Sequence, residues 1–369
     1  MSPNLRAGDL VEVRSEAEIL ASLDENGCID GLPFMPEMLE YCGARVRVDK
    51  RADKTCDTID YTGNRRMRDA VHLEGMRCSG AAHGGCQAHC PFFWKEAWLK
   101  PVDDRAGAPA RPRRAAPDRP RAAGPAPAPA QPRWDRARLM AATQRPGPDG
   151  EAIRYRCQAT ELLAATTPMA WWDVRQYVRD VRSGNVGVMD VVRAASFRLF
   201  RRLIHARWFR GYRLALRAYD RFQSWRGGPP YPLTAGTLAR TPRQTLDLLP
   251  GELVRVKPLD AIRRTVDGRG RNRGLSFDPE MVRYCGSERP VLARVERLID
   301  ERTGAMVHLS SDCIILDGAV CRATCSHKRL FCPRQLYPFW REIWLERVER
   351  PAGDVEPAPR AREAEPTAV

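Results

Sequence analysis

Twelve cysteines in 369 residues are the side chains here best suited to chemistry, and six of them stand in matched pairs: Cys42 with Cys285, Cys78 with Cys321, and Cys86 with Cys332. Each half of the chain adds cysteines nearby, Cys90 in the first and Cys313 and Cys325 in the second. Four thiolates converging from a turn and a loop suit a closed Zn²⁺ site, because Zn²⁺ takes soft ligands in tetrahedral geometry. A small β-rich domain with long loops also gains folding free energy from such a clip. The candidate metal ligands are Cys42, Cys78, Cys86 and Cys90 in one set and Cys285, Cys321, Cys325 and Cys332 in the other. His83 and His89 in CSGAAHGGCQAHC, and His327 in the second half, are able to replace a thiolate. The spacings, C-x₇-C-x₃-C and C-x₃-C-x₆-C, lack the paired C-x₂-C knuckles of a zinc ribbon. Two other readings stand beside zinc. The aligned cysteines also suit burial as small hydrophobes beside Tyr and Trp. Cys90-Pro91 and Cys332-Pro333 resemble the Cys-Pro of cluster-ligating runs, which keeps a redox or iron–sulfur role open.

Other catalytic constellations are harder to build. A nucleophilic cysteine needs a nearby base, and the six histidines supply one aligned pair, His72 with His308, each set among apolar neighbours as core residues are. There is no phosphate-cradling Gly loop, no H-E-x-x-H and no G-x-S-x-G. Glu37 and Glu280 are a repeated carboxylate, expected in the first turn of a helix beside its positive end. The residues favour a non-catalytic protein that binds a partner or a small ligand, with a Cys-dependent or iron–sulfur enzyme as the competing class.

These residues are positioned by an internal repeat, the feature that decides the architecture. GLPFMPEMLEYCG (Gly31–Gly43) returns as GLSFDPEMVRYCG (Gly274–Gly286). Adding 243 to every number from Gly8 to Gly43 reaches Gly251 to Gly286 without a gap, with 16 of 36 pairs identical. LEGMRC answers LDGAVC, and CQAHCPFFWKEAWL answers CPRQLYPFWREIWL with the Cys-to-Trp spacing kept. Within each copy, GDLVEV or GELVRV alternates as a strand does, a short helical stretch follows, and PEM..YCG has Pro to open a helical turn and Gly to close it. FWKEAWL and FWREIWL finish the unit, their Phe93, Trp94 and Trp98 capping a barrel as a helix or burying in a last strand. The expected fold class is α+β: two duplicated SH3-like barrel modules, 1–102 and 229–348, flanking a helical segment at 151–228. Residues 103–150 read as a disordered Pro/Ala/Arg linker and 349–369 as a tail.

Charge separates these parts. The chain carries a net +15, and residues 101–250 hold 27 Arg and no Lys, while the first module is net acidic. Between Val191 and Tyr219 there is no carboxylate, and Phe197, Phe200, Ile204 and Trp208 fall on one helical stripe. An apolar stripe beside an Arg face fits an anionic membrane surface, with Arg198, Arg201, Arg202, Trp208, Arg210 and Arg213 as contacts. It also fits a neighbouring helix or, as the lesser reading, a nucleic acid. The N-terminal MSPNLRAGDLVEV has no apolar signal region, and no apolar run approaches the roughly 20 residues of a membrane span. The expectation is a cytosolic protein, peripheral at the inner membrane, where thiols stay reduced.

GLPFMPEMLEYCG, KTCDTIDYTG, AVHLEGMRCSGAAHGGCQA and FWKEAWLK resemble a widespread group of uncharacterised bacterial proteins. CQATELLAATTPMAWWDVRQYVRDVRSGNV, GLSFDPEMVRYCG and FWREIWLERV are similar to its longer, two-module members. That resemblance covers nearly the whole chain outside the Pro-rich stretch. It implies work near polysaccharide or natural-product biosynthesis and assigns no residue a role. The combined expectation is a Zn-clipped scaffold accessory to such biosynthesis.

Overall fold

The computed structural model describes residues 4–102, 133–148, 150, 152–204, 206, 211–326 and 328–348. It is a mixed α and β protein of small antiparallel sheets. The first repeat runs β1 (Leu10–Val13), α1 (Glu16–Ser22), β2 (Cys28–Ile29), β3 (Leu32–Pro33), β4 (Arg45–Arg51), β5 (Lys54–Cys56), β6 (Asn64–Arg66), β7 (Ala70–Leu73), β8 (Trp94–Lys95) and β9 (Leu99–Pro101). The intervening segment carries α2 (Arg136–Ala141), β10 (Gln144–Pro146), β11 (Ile153–Tyr155), β12 (Thr167–Pro168), α3 (Arg175–Arg182), α4 (Val188–Ile204) and α5 (Tyr212–Trp225). The second repeat follows with β13 (Leu253–Val256), α6 (Leu259–Arg263), β14 (Arg271–Asn272), β15 (Leu275–Ser276), β16 (Glu288–Arg294), β17 (Arg297–Ile299), β18 (Met306–His308), β19 (Ile314–Leu316) and β20 (Leu345–Arg347).

The matched sequences make matched pairings. One sheet has the order β8-β7-β4-β1-β9 and the other β19-β16-β13-β20, all antiparallel. The strand missing from the second sheet survives as a single bridge between Ile314 and Trp340. Each long strand carries a register shift at the same place, Val48/Lys50 and Val291/Ala293. A bulge bends a strand, and here it precedes the turn into the hairpin β5–β6 or β17–β18. Both sheets remain open, and no closed barrel forms among the described residues.

Alternation places Val11 and Val13, and Val254 and Val256, fully inside. FWKEAWL splits between the two expected roles: Trp94 sits in β8 and Trp98 ends a 3₁₀ turn at Glu96–Trp98, both fully buried. Phe34 meets Trp98 edge-on at 5.1 Å, and Phe277 meets Trp344 at 5.2 Å. PEM..YCG forms a 3₁₀ helix in each repeat, Pro36–Tyr41 and Pro279–Tyr284, short because Cys42 and Cys285 leave helical geometry. Residues 133–148, read from composition as linker, carry α2 and β10. Trp134 and Leu139 belong to the first core, as do Cys157, Ala159, Leu162 and Ala165.

Candidate metal centre

Between β7 and β8 the chain makes a loop that returns on itself. Cys78 N donates to Cys90 O at 2.8 Å, and His83 N and Gly85 N both donate to Gly80 O, at 3.1 and 2.9 Å. The loop therefore turns Cys78, Cys86 and Cys90 toward one cavity of about 40 Å³. The fourth thiol in that cavity is Cys157, from the intervening segment. Gln158 fixes it there: Phe93 N donates to Gln158 Oε1 at 2.8 Å, while Gln158 Nε2 donates to Phe93 O at 2.9 Å and Pro33 O at 3.1 Å. The side-chain amide thus imitates a strand partner and extends the edge of β8 by one residue.

The rest of the cavity wall is mostly apolar, with Met35, Phe92, Phe93 and Ile299, but it also carries His83, His89 and Gln158 and one ion pair, Arg334–Glu301 at 3.3 Å. Burial pushes the Cys90 thiol up to about 12; Arg334 opposes this and Glu301, Cys157 and Cys86 add to it. Burial likewise holds Cys157 up at about 11, and raises Cys78 further, helped by Cys90 and Glu37. Such thiols stay protonated unless a cation draws the proton off, the coupling expected of ligands that meet their metal. Ile299 N, reaching in from the second repeat, donates to Cys86 Sγ at 3.5 Å.

Two of the cavity's lining residues join Glu37 in a group able to hold a metal ion: the ligand atoms of Glu37, Cys78 and His83 lie within 4.8 Å of one another. Glu37 Oε1 is 3.2 Å from His83 Nδ1, and Cys78 Sγ is 3.4 Å from His83 Nε2. Among the described residues this is the one such group of three, so no three of the four cavity sulfurs approach one another as closely. Glu37 stands in the first turn of its own 3₁₀ helix, as its place in PEM suggested, and reaches beyond it as well. Its Oε1 accepts from Ala82 N at 3.0 Å and clamps the cysteine loop. Glu280 repeats the device, accepting from Cys325 N and from Ser326 N at 3.0 Å.

The sequence-derived sets are thus brought together in part. Cys78, Cys86 and Cys90 share a cavity; Cys42 is packed against the first core instead, with Cys157 in its stead. In the second repeat Cys321 and Cys332 pack together, with Cys56 of the first repeat as their third thiol. Cys285 lies against the second core, where burial pushes it up to about 12. Cys325 faces the other way, toward α4. Cys313 is a core residue beside Val295 and Ile315. His72 is a core residue too, bonded through Nδ1 to Phe92 O at 2.8 Å and pushed down to about 4 by burial. His308 is exposed in β18 and is not its counterpart, because β7 corresponds to β19. Cys157 and Cys56 are the residues the reading of the sequence missed; both stand in motifs, CQATEL and KTCDT, with nothing in the repeat to mark them.

The arginine helix divides its stripe. Phe197 and Phe200 pack on Tyr219 of α5 and on Tyr231, and Ile204 is buried, whereas Leu199 and Leu203 stay exposed. Arg198, Arg201 and Arg202 line a groove of about 700 Å³ together with Trp171, Tyr177 and Cys325. Arg213 is exposed on α5; Trp208, Arg210 and His327 lie outside the described residues. Among the described residues, no helix is long and apolar enough to cross a membrane. No family model matches the chain, and no curated protein matches it.

Proposed function

We propose that this protein carries a polynuclear metal–thiolate cofactor, an iron–sulfur cluster, on Cys78, Cys86, Cys90 and Cys157, and works as a redox protein. The observation that carries this reading is that four thiols, Cys78, Cys86, Cys90 and Cys157, line one cavity. A tetrahedral Zn²⁺ with bonds of about 2.3 Å needs its sulfurs about 3.8 Å apart, yet no three of these sulfurs lie within 4.8 Å of one another. In a [4Fe–4S] cluster each thiolate binds a different iron, so its sulfurs stand farther apart than those around one metal ion. Two further features favour it. Ile299 N donates to a cysteine sulfur, and such hydrogen bonds, with burial, set the potential of a cluster. The mostly apolar wall excludes water, while Arg334 offsets the negative charge that four thiolates bring.

When bound, a cluster supplies a one-electron couple. The chain's part is to hold the four thiolates, keep the cavity dry and fix its field through Arg334 and Glu301. The test is anaerobic purification followed by a visible spectrum. Broad absorbance near about 400 nm that bleaches with dithionite is expected; colourless protein with stoichiometric zinc overturns the reading.

A second reading rests on Glu37, Cys78 and His83, whose mixed donor set suits a single Zn²⁺ or Fe²⁺ with an open position. Under it the metal is lost in His83→Ala and kept in Cys157→Ser, and no sulfide accompanies it. The cluster reading requires Cys157→Ser to remove the metal.

A further inference from the structure

Helix α4 is apolar on two sides. Ala194, Phe197, Phe200 and Ile204 turn inward: Ala194 and Ile204 are buried, and Phe200 stacks on Tyr219 of α5 at 5.0 Å. The stripe expected from the sequence to meet a membrane is therefore spent on packing. The other side carries Val188, Val192, Ala195, Leu199 and Leu203, which recur every three or four residues and so share one face. All five stand exposed, Leu199 at 60%. Helix α5 repeats the pattern with Leu214, Ala218, Phe222 and Trp225, where Leu214 is 73% and Trp225 83% exposed. Among the described residues, most of the large apolar side chains left in water fall between Trp171 and Trp225. Single exposed apolar residues are ordinary on a protein surface, but rows of them mark an interaction site.

Arginine is placed in register with both rows. Arg198, Arg202, Arg213, Arg217 and Arg221 each stand one position before a residue of an outer stripe. One position is a rotation of about 100°, so the charged row borders the same side of both stripes. Every basic residue of the two helices is Arg, whose planar fork meets phosphate oxygens in pairs. The helices contain two carboxylates, and both are engaged elsewhere. Asp190 accepts from Gly187 N at 3.1 Å and lies 3.4 Å from Arg193, while Asp220 accepts from Tyr231 N at 2.7 Å.

Whatever covers these faces must be anionic and apolar at once. A second copy of the chain would set one arginine row against another, and like charges brought together at an interface repel. A nucleic acid would take up the arginines, but Val188, Val192, Leu199 and Leu203 offer its bases no aromatic face on which to stack. An anionic lipid layer meets both demands, with phosphate at the level of the arginines and acyl chains below it. We propose that α4 and α5 seat this protein on an anionic membrane surface, their outer stripes in the headgroup boundary and their arginines on lipid phosphate. The seat is peripheral, since no helix among the described residues is long and apolar enough to cross a membrane. It is independent of the metal reading.

The test is co-sedimentation of the full chain with vesicles of phosphatidylcholine, with and without phosphatidylglycerol. Wild type should bind the mixed vesicles, leave them as salt rises, and ignore phosphatidylcholine alone. Leu199→Ser, Leu203→Ser, Leu214→Ser and Trp225→Ser combined leave the net charge unchanged, yet should weaken binding at least about a hundred-fold. Arg202→Gln, Arg217→Gln and Arg221→Gln combined should weaken it about a hundred-fold, near five-fold per arginine. If the apolar variant binds as wild type does, the surface is a plain polyanion site and the proposal falls. It falls also if wild type binds no vesicle, or binds phosphatidylcholine alone equally well. A wild-type dimer that the apolar variant dissolves would show a second copy on these faces and overturn it too. Should the four-fold variant lose its far-UV circular dichroism, Leu199→Ser and Trp225→Ser taken singly, at positions open to water, decide the question with a loss of about ten-fold each.

Discussion

Gly80 offers a way to misplace a ligand without touching one. It sits at φ +76°, and a Cβ built there lies 2.1 Å from Cys86 O and 2.7 Å from Cys86 N. Backbone atoms cannot swing aside as a flexible side chain can, so Gly80→Ala must push the Cys86 peptide by more than 1 Å to reach ordinary contact. The left-handed conformation costs a non-glycine residue about 1–2 kcal/mol, and overpacking adds about 1–3 kcal/mol. Gly75 supplies the control: its φ is +72°, with nothing within 4 Å of a Cβ. Gly75→Ala should therefore lower stability by about 1–2 kcal/mol and leave the metal content unchanged. Gly80→Ala should cost about 2–5 kcal/mol and, because a site tolerates displacements of only about 0.5 Å, should lose the metal of the four-thiol site. Iron and sulfide per chain and a urea titration on both variants check this. Gly80→Ala with wild-type metal and the stability of Gly75→Ala would refute the loop packing on which the site is built.

Three other expectations follow from buried charge and from the arginine groove. Asp180, paired with Lys54 at 2.5 Å, is held up at about 6 by burial, which Lys54 opposes. Its folded form binds the proton more tightly than its unfolded form, so its contribution is full below the ordinary carboxyl range and is lost as pH rises toward 6. Wild type should thus lose up to about 3 kcal/mol between pH 4 and 6 relative to Asp180→Asn; parallel urea titrations would contradict this. Glu96 is buried, accepts Leu5 N at 2.8 Å and pairs with Arg51 at 2.5 Å. Glu96→Gln takes one of two close carboxylates from a buried guanidinium that keeps Asp53 at 2.7 Å, and should cost about 1–3 kcal/mol, read by thermal or urea unfolding, whereas half-exposed Glu12→Gln should cost under about 1 kcal/mol. Replacing Arg198, Arg201 and Arg202 by Glu should abolish co-sedimentation of the full chain with phosphatidylglycerol vesicles at low salt; unchanged or absent binding in both proteins would remove the membrane surface as a partner.

What could be read without coordinates was whatever recurs or alternates. The repeat at offset 243 was legible, and the structure adds what it did not state: the pairings and the register shift recur at the same offset. The Cys-to-Trp spacing anticipated that Cys86 and Cys332 occupy like places. The grouping of the cysteines was out of reach for a physical reason. Cys157 joins its cavity through the amide of Gln158 bonded to Phe93 and Pro33, more than 60 residues away. Cys56 belongs by sequence to one repeat and by packing to the other. Neither contact has a period or a spacing. The stripe of α4 was legible as an apolar face, but its use was not: Tyr219 and Tyr231 cover Phe197 and Phe200 and leave Leu199 and Leu203 outside. His72 and His308 show the converse error, since equal flanking residues suggested a pair that strand order denies.

The most direct test of the cluster reading is the iron and acid-labile sulfide content of anaerobically purified wild type beside Cys157→Ser. The account predicts iron and sulfide in equal amounts in wild type, with a large share of both missing from Cys157→Ser while its far-UV circular dichroism is kept. Zinc without sulfide, or a metal content that Cys157→Ser leaves unchanged, would contradict it.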